Sequence, residues 1–428
     1  MAIGILRQTS IYRAGVSGRR PRVPTDATKL EARARKAMPE EAFAYIAGGA
    51  GTGATMRANR DAFDRWRIVP RMLRDVSGRD TGVELFGRRL PSPFLLCPVG
   101  VLEMVHPDAD LAVARAARAE GVPMILSNQA SRPMEACARE LGDSPRWFQL
   151  YWSTSNDLVE SFVHRAETSG AEAIVVTLDT TLLGWRTHDL DIAYLPFLRG
   201  KGIAQYTSDP VFRRIIENDP VELGPDEQPK PSPAALRTLV QLTRAYPDRF
   251  ASALRSGHAR AAVQTFVRIY SRPSLRWEDL PFLRERTKLP ILLKGILHPD
   301  DAARAVDEGI DGVIVSNHGG RQVDGAIGTL EALPGVARAV DGRIPVILDS
   351  GIRGGADAFK ALALGATAVG IGRPYAYGLA IAGEAGVREV LANFKADFDL
   401  TLGLSGHTSV ADIGPDSLAD VRELAPAN

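Results

Sequence analysis

The sequence predicts a closed parallel (β/α)8 barrel, and three observations carry that prediction. Eight short apolar runs recur between Phe94 and Gly372, each continuous rather than alternating, as strands buried on both faces should be. A helix-sized amphipathic stretch separates most of them. Polar residues gather at the C-terminal ends of the runs, the rim from which such a barrel does its chemistry.

The runs are Phe94–Pro98, Met124–Ser127, Trp147–Tyr151, Ala173–Asp179, Pro290–Lys294, Gly312–Ser316, Pro345–Asp349 and Ala368–Gly372. Helical patterns fill Pro107–Glu120, Asp157–Ser169, Asp300–Glu308 and Gly355–Leu364. An open doubly wound sheet is the competing architecture. Regular βα units over roughly 290 residues, without a second switch pattern, favour closure into a TIM barrel. One domain is expected over 1–428, with the barrel at 91–380. Before it, 1–90 should hold helices Thr28–Ala37 and Glu40–Ala47, the second opened by Pro39 and closed by Gly48-Gly49. A hairpin of Val83–Phe86 and Arg88–Leu90 should plug one barrel mouth. Residues 381–428 form a tail, helical and then solvated.

The insertion 182–275, after the fourth strand, breaks the rhythm. It includes Pro-rich Pro220–Pro233 and helical patterns at Ala234–Ala245 and Arg249–Ile269. A connection this long on the active rim is expected to act as a mobile lid; a solvated insertion without a role is the alternative.

Composition narrows the function classes. The 428 residues carry 52 basic and 51 acidic side chains, a net charge of +1, with no basic stripe for nucleic acid. Cys97 and Cys137 make neither a disulfide framework nor a metal spacing, which suits a reducing cytoplasm. No acidic cluster or His-x-x-His pair has ligand spacing, so no metal is expected. The apolar stretch Ala361–Ile371 is too short for a bilayer, no secretory h-region precedes the helices, and Pro-Ala-Asn at the C-terminus matches no sorting address. No membrane association is expected.

The strand ends hold the candidate chemistry. Ser316-Asn-His318-Gly-Gly-Arg321-Gln follows the run Gly312–Val315, delivering a base and a planar cation to one rim. Lys294 closes a run containing Leu292 and Leu293, in a chain of only eight lysines and forty-four arginines. An ammonium at that depth needs negative charge beside it, and could serve as a Schiff-base amine or balance a cofactor. Glycines 351, 354, 355, 370 and 372, with Arg353 and Arg373, read as a phosphate cradle. Strand-to-helix turns with surface arginines are the simpler alternative. Val99-Gly100, Ser127, Gln149, Tyr151, Thr177, Asp179, Arg186 and Asp349 complete the ring. The other six histidines sit in loop or amphipathic contexts and are expected at the surface or in caps. Tyr45, near a helix end, is from its own context a core residue.

Ser316–Gln322, Lys294-Gly295, Leu178-Asp179-Thr180, Asp349–Arg353 and Gly370–Arg373 together resemble, in order and spacing, the FMN-dependent α-hydroxy acid oxidase family, over roughly residues 30–385. Tyr45–Ala50, Pro98–Val101 and Leu195–Gly200 look most like its lactate 2-monooxygenase branch. The resemblance implies bound FMN, a small 2-hydroxy acid and O2 as partners, and a homo-oligomer, tetrameric or octameric. It implies that Val99, Gly100, Ser127, Gln149 and Thr177 hold the flavin ring, with Lys294 at its N1–C2 edge. Ser316 would lie near the ribityl chain, and Asp349, Gly351, Arg353, Gly372 and Arg373 would bind ribityl and phosphate groups. Arg186 and Arg321 would clamp the substrate carboxylate, helped by Tyr45 and Tyr151. His318 would take the substrate proton, oriented by Asp179. Gly100, where many family oxidases carry alanine, would leave room by the flavin and favour oxidation of L-lactate to acetate, CO2 and water. Release of pyruvate and H2O2, or a quinone or cytochrome acceptor, are the alternatives. A flavin-binding sensor without turnover would be expected to lack His318, Arg186 or Arg321. Gln129 replaces the tryptophan of glycolate oxidases, which argues against glycolate. Leu102 and Met104 predict a pocket for small apolar side chains.

Overall fold

The computed structural model describes residues 3–218 and 230–424. Eight parallel strands close into a barrel: β1 (Phe94–Leu96), β2 (Met124–Leu126), β3 (Arg146–Leu150), β4 (Ile174–Thr177), β5 (Ile291–Ile296), β6 (Gly312–Val315), β7 (Val346–Leu348) and β8 (Ala368–Ile371). Each of the eight apolar runs supplies one strand. Closure comes from β8 pairing with β1, Val369 opposite Phe94.

Alternation along each strand divides the apolar side chains between two cores. Leu95, Ile125, Trp147, Val175, Leu292, Ile314 and Ile347 fill the barrel interior. Their neighbours Leu96, Leu126, Phe148, Val176, Leu293 and Val315 pack outward against the helices. A hairpin (Val83–Leu85 with Arg88–Leu90) sends Val83, Leu85 and Leu90 into the inner core and closes its N-terminal end. The other end is left for the site.

Four features depart from the sequence expectations. Helix Ile3–Val16 precedes the expected pair, and helix Ala54–Asp64 follows it. Within the insertion, the stretch expected as one helix is two, Phe250–Ser256 and His258–Ile269, separated by Gly257 with φ +72°. The Pro-rich stretch lies outside the described residues as far as residue 229, as does the C-terminal tripeptide. The tail is packed rather than solvated. Helix Arg373–Leu404, kinked at Ala382 and Gly383, buries Phe394 and Phe398 against Phe94, and Leu418–Asp420 pairs with Trp66–Ile68. His407, expected at the surface, is buried between the hydroxyls of Ser405 and Ser417, each 3.0 Å from a ring nitrogen. Among the described residues no helix is long and apolar enough to cross a membrane.

Candidate active site

A cleft of about 1040 Å³, part of it open to solvent, lies at the C-terminal ends of the strands. Strand register builds its polar floor. Thr177 of β4 pairs with Lys294 of β5, so Asp179, two residues on, comes level with the lysine. Lys294 pairs with Ile314 of β6, which brings Ser316 to its other side. Gly295, at φ +110°, makes the bulge that permits this approach, because a Cβ there would meet Asp179 Cβ at 3.0 Å.

The ammonium of Lys294 donates to Ser316 Oγ at 2.9 Å and lies 3.5 Å from Asp179 Oδ2 and 3.6 Å from Asp349 Oδ2. Burial alone would strip its proton. The two carboxylates outweigh burial and hold its pKa above the usual lysine value. Asp179 shows the converse: burial favours its acid form, but His318 and Lys294 keep it ionised and well below the usual carboxylate range.

His318 sits at φ +57°, a backbone conformation uncommon outside glycine, and its ring lines the cleft. Its Nδ1 lies 2.6 Å from Asp179 Oδ1 and 3.2 Å from Thr180 Oγ1. Asp179, which also accepts from Thr180, accepts the hydrogen bond of Nδ1–H and leaves Nε2 with no described protein partner. Burial first, then the Lys294 and Arg186 charges, lower the His318 pKa against the pull of Asp179. The resting imidazole is therefore neutral near pH 7 and can accept a proton. If His318 is the base, kcat/KM for an α-hydroxy acid should hold constant down to about pH 6.5, the ordinary histidine value, and fall only below it. Rates of anaerobic flavin bleaching against pH check this; an acid limb above pH 7 would contradict it.

Arg186 and Arg321 flank His318. Arg186 donates to Gln322 Oε1 at 2.8 Å, and Gln322 in turn donates to the carbonyls of Asp179 and Leu182. Arg321 donates to the Gly48 carbonyl at 2.8 Å and lies 5.0 Å over the Tyr45 ring. Burial, with Arg186 close by, pulls the Arg321 pKa down to about 9. Arg373 donates to the carbonyls of Ile46, Gly48 and Gly319 and to Met56 Sδ, and Arg353 to the carbonyl of Ile352. Among the described residues none of these four arginines has a carboxylate within 4 Å. Arg186 is buried and Arg321, Arg353 and Arg373 are half-buried, and together they form two cationic poles, one beside His318 and one at the ends of β7 and β8.

Most of the sequence-predicted ring lines this cleft: Tyr45, Val99, Gly100, Ser127, Tyr151, Arg186, Lys294, His318, Arg321, Asp349, Gly351, Arg353, Gly372 and Arg373. Gln149, Thr177, Asp179 and Ser316 stand one layer behind. Leu102 and Met104 are buried away from the cleft and cannot shape its pocket. Gly100 also departs from its expected role. A Cβ there would meet Gln129 Cβ and O at 3.0 Å, so the glycine accommodates Gln129 rather than opening free space. Of the five glycines assigned to the phosphate cradle, Gly351, Gly354, Gly355 and Gly370 are each demanded by a close protein neighbour. Only Gly372 faces open space, its nearest would-be contact being Cys97 Cβ at 4.0 Å. Thr180, Gln322 and Phe197 stand inside the sequence motifs without a role of their own, and Tyr270 stands in none. Thr180 adjoins Asp179 and Gln322 adjoins Arg321, which was the available signal; Tyr270 carried none.

The cleft suits a flavin phosphate on grounds independent of resemblance. Gln149 Nε2 and Thr177 Oγ1, buried behind its wall, have no hydrogen-bond partner among the described residues. Lys294 sets a fixed cation in the floor, and Arg353, Arg373 and the open space at Gly372 offer an anion site at the far end.

Comparison with known proteins agrees. The family model described as FMN-dependent dehydrogenase matches residues 34–420. An L-lactate oxidase of Lysinibacillus sphaericus is 43% identical over 381 residues, 89% of each chain. An FMN-dependent alpha-hydroxy acid dehydrogenase of Penicillium citrinum is 42% identical over 412 residues, 96% of this chain and 94% of that one. A crystal structure of mandelate oxidase superposes with a TM-score of 0.73 at 35% identity, covering 93% of this chain and 98% of the other. With this fold and this match across most of its length, the chain belongs to the FMN-dependent α-hydroxy acid dehydrogenase family and is an FMN-dependent oxidoreductase acting on α-hydroxy acids.

Proposed function

We propose that the chain oxidises a short L-2-hydroxy acid, foremost L-lactate, with molecular oxygen as electron acceptor, as a cytoplasmic homo-oligomer. The observation that carries this reading is the pair of guanidiniums, buried Arg186 and half-buried Arg321, with no carboxylate within 4 Å among the described residues, on either side of a neutral imidazole. A 2-hydroxy carboxylate satisfies all three groups at once. Its carboxylate takes the paired cations in fork geometry, and its hydroxyl reaches His318 Nε2. The likeness to an L-lactate oxidase supports a small side chain. Two free, buried cysteines suit a reducing compartment.

In this reading bound FMN supplies the two-electron acceptor, held by Val99, Gly100, Ser127, Gln149 and Thr177 at the ring and by Ser316, Asp349, Gly351, Arg353, Gly372 and Arg373 along the ribityl phosphate. Lys294 adds a fixed positive charge where electron density accumulates. Arg186, Arg321, Tyr45 and Tyr151 fix the substrate so that its Cα–H points at the cofactor. His318 takes the hydroxyl proton on Nε2, and ionised Asp179 stabilises the imidazolium through Nδ1–H. Burial keeps the Tyr151 hydroxyl protonated, so it acts as a hydrogen-bond donor.

One observation favours the decarboxylating outcome. Leu183, Phe197 and Tyr270 of the insertion line the cleft, and Phe266 stacks on Tyr270 with 5.0 Å between centroids. Pyruvate held beneath this cover would meet peroxide before leaving, giving acetate, CO2 and water. Incubating the flavin-loaded enzyme with L-lactate in air, and assaying acetate, pyruvate and H2O2 together, tests both levels. Acetate with little free peroxide identifies the monooxygenase outcome, and equal pyruvate and peroxide the oxidase. No product in air refutes oxygen as acceptor.

A further inference from the structure

Behind the two arginines that flank His318 lies an acid with no part in the proton transfer. Arg186 caps the short helix Thr187–Asp191, and Asp189 sits in its first turn, only 9% exposed. Among the described residues the Asp189 side chain has no hydrogen bond and no cation within 4 Å. Its helix is tied to the turn that holds Arg321. Thr187 Oγ1 donates to the Gly51 carbonyl at 2.9 Å, and the Gly51 N–H donates to the Trp185 carbonyl at 2.9 Å. Arg321 donates to the Gly48 carbonyl in the same turn. His188 packs there too, its Nδ1 3.3 Å from where a Cβ on Gly48 would stand. Arg186 Nε in turn donates to the Arg321 carbonyl at 3.3 Å. Asp189 is thus fixed within the field of both guanidiniums but pairs with neither. Burial raises its pKa, and Arg321, then Arg186 and His188, pull it back toward the ionised form.

We propose that Asp189 is a positioning residue that sets the charge of the carboxylate clamp. It offsets part of the field of Arg186 and Arg321, weakening their hold on a bound carboxylate so that the keto acid product can leave. A buried acid without a bonded partner is costly to keep, and charge balance is what it contributes here. The plainer role, an acid complementing a helix N-terminus, requires no burial. Substrate and product carry the same carboxylate, so the charge changes binding more than it changes the chemical step. This role rests on the reading of Arg186 and Arg321 as the carboxylate site of the substrate.

Pyruvate titrated into the oxidised, FMN-loaded full chain, followed by the visible flavin spectrum, tests this in wild type, Asp189→Asn and Asp189→Glu. Asparagine keeps the shape and removes the charge, so pyruvate should bind on the order of tenfold tighter, the scale of one unit charge acting through protein. Half-saturating L-lactate in anaerobic bleaching should fall by a similar factor, while the limiting rate moves far less. Glutamate keeps the charge and should bind pyruvate as wild type does. Pyruvamide, which carries no charge, should bind all three alike. Asp189→Ser replaces the asparagine variant should that one fail to load flavin. An uncharged variant that binds pyruvate no tighter than wild type, or whose affinities for pyruvate and pyruvamide shift together, overturns the role of Asp189 and leaves the proposed reaction standing. A wild type that neither binds pyruvate nor is bleached by L-lactate removes the clamp itself, and the role of Asp189 with it.

Discussion

A His318→Gln enzyme should remain yellow and folded but lose roughly 10²–10⁴-fold in the rate at which L-lactate bleaches its flavin. Glutamine can still occupy the strand-end turn and hydrogen-bond Asp179, so FMN binding and the cleft should survive. It cannot take a proton. The lost proton transfer should appear in kcat and kcat/KM together, whereas weakened substrate binding alone would raise KM. Asp179→Asn should slow the same step, because the ion pair at 2.6 Å no longer stabilises the imidazolium. Anaerobic stopped-flow on both variants separates these effects. A glutamine variant reduced at the wild-type rate would remove His318 from the mechanism.

Lys294→Met should cause the largest loss of stability. The ammonium is the buried cation between Asp179 and Asp349, at 3.5 and 3.6 Å. Methionine fills a similar volume but leaves Asp349 without a cation and Asp179 with His318 alone. Breaking a buried pair from one side costs on the order of 3–5 kcal/mol, against a typical total of about 5–15 kcal/mol. The urea midpoint of the apoprotein should drop accordingly, and FMN should bind weakly because its fixed cation is gone. Lys360→Met is the control. That lysine donates to the Phe63 carbonyl, and losing one such bond should cost about 1 kcal/mol. Equal midpoints for the two variants would contradict the charge-balancing role of Lys294.

The barrel was legible because a doubly buried parallel strand leaves a continuous apolar run, and all eight runs appear as strands. The polar rim was legible because a lysine, an aspartate or a His-Gly-Gly-Arg string at the end of such a run has few structural reasons to be there. What escaped notice depends on contacts between distant segments. Gly100 and Gly351 look like ligand-facing glycines, yet their close neighbours are Gln129, Asn59 and Phe63, which sequence spacing does not bring together. Tyr270 reaches the cleft from the end of helix His258–Ile269, in a stretch with no motif to mark it. Leu102 and Met104 lie close along the chain to the first strand, but the short 3-10 helix they form turns them into the core. Helix Ile3–Val16 has apolar residues on two faces, and the single amphipathic period that reveals most helices is therefore missing.

In the proposed reaction His318, Arg186 and Arg321 act as one unit on the carboxylate and hydroxyl of a substrate beside FMN. The most direct test is anaerobic titration of the FMN-loaded protein with L-lactate, then with D-lactate, following the visible flavin spectrum. Complete bleaching by the L-isomer at one equivalent per flavin is expected, with little change on adding the D-isomer. A flavin that keeps its colour in excess L-lactate, or that either isomer bleaches equally, would contradict it.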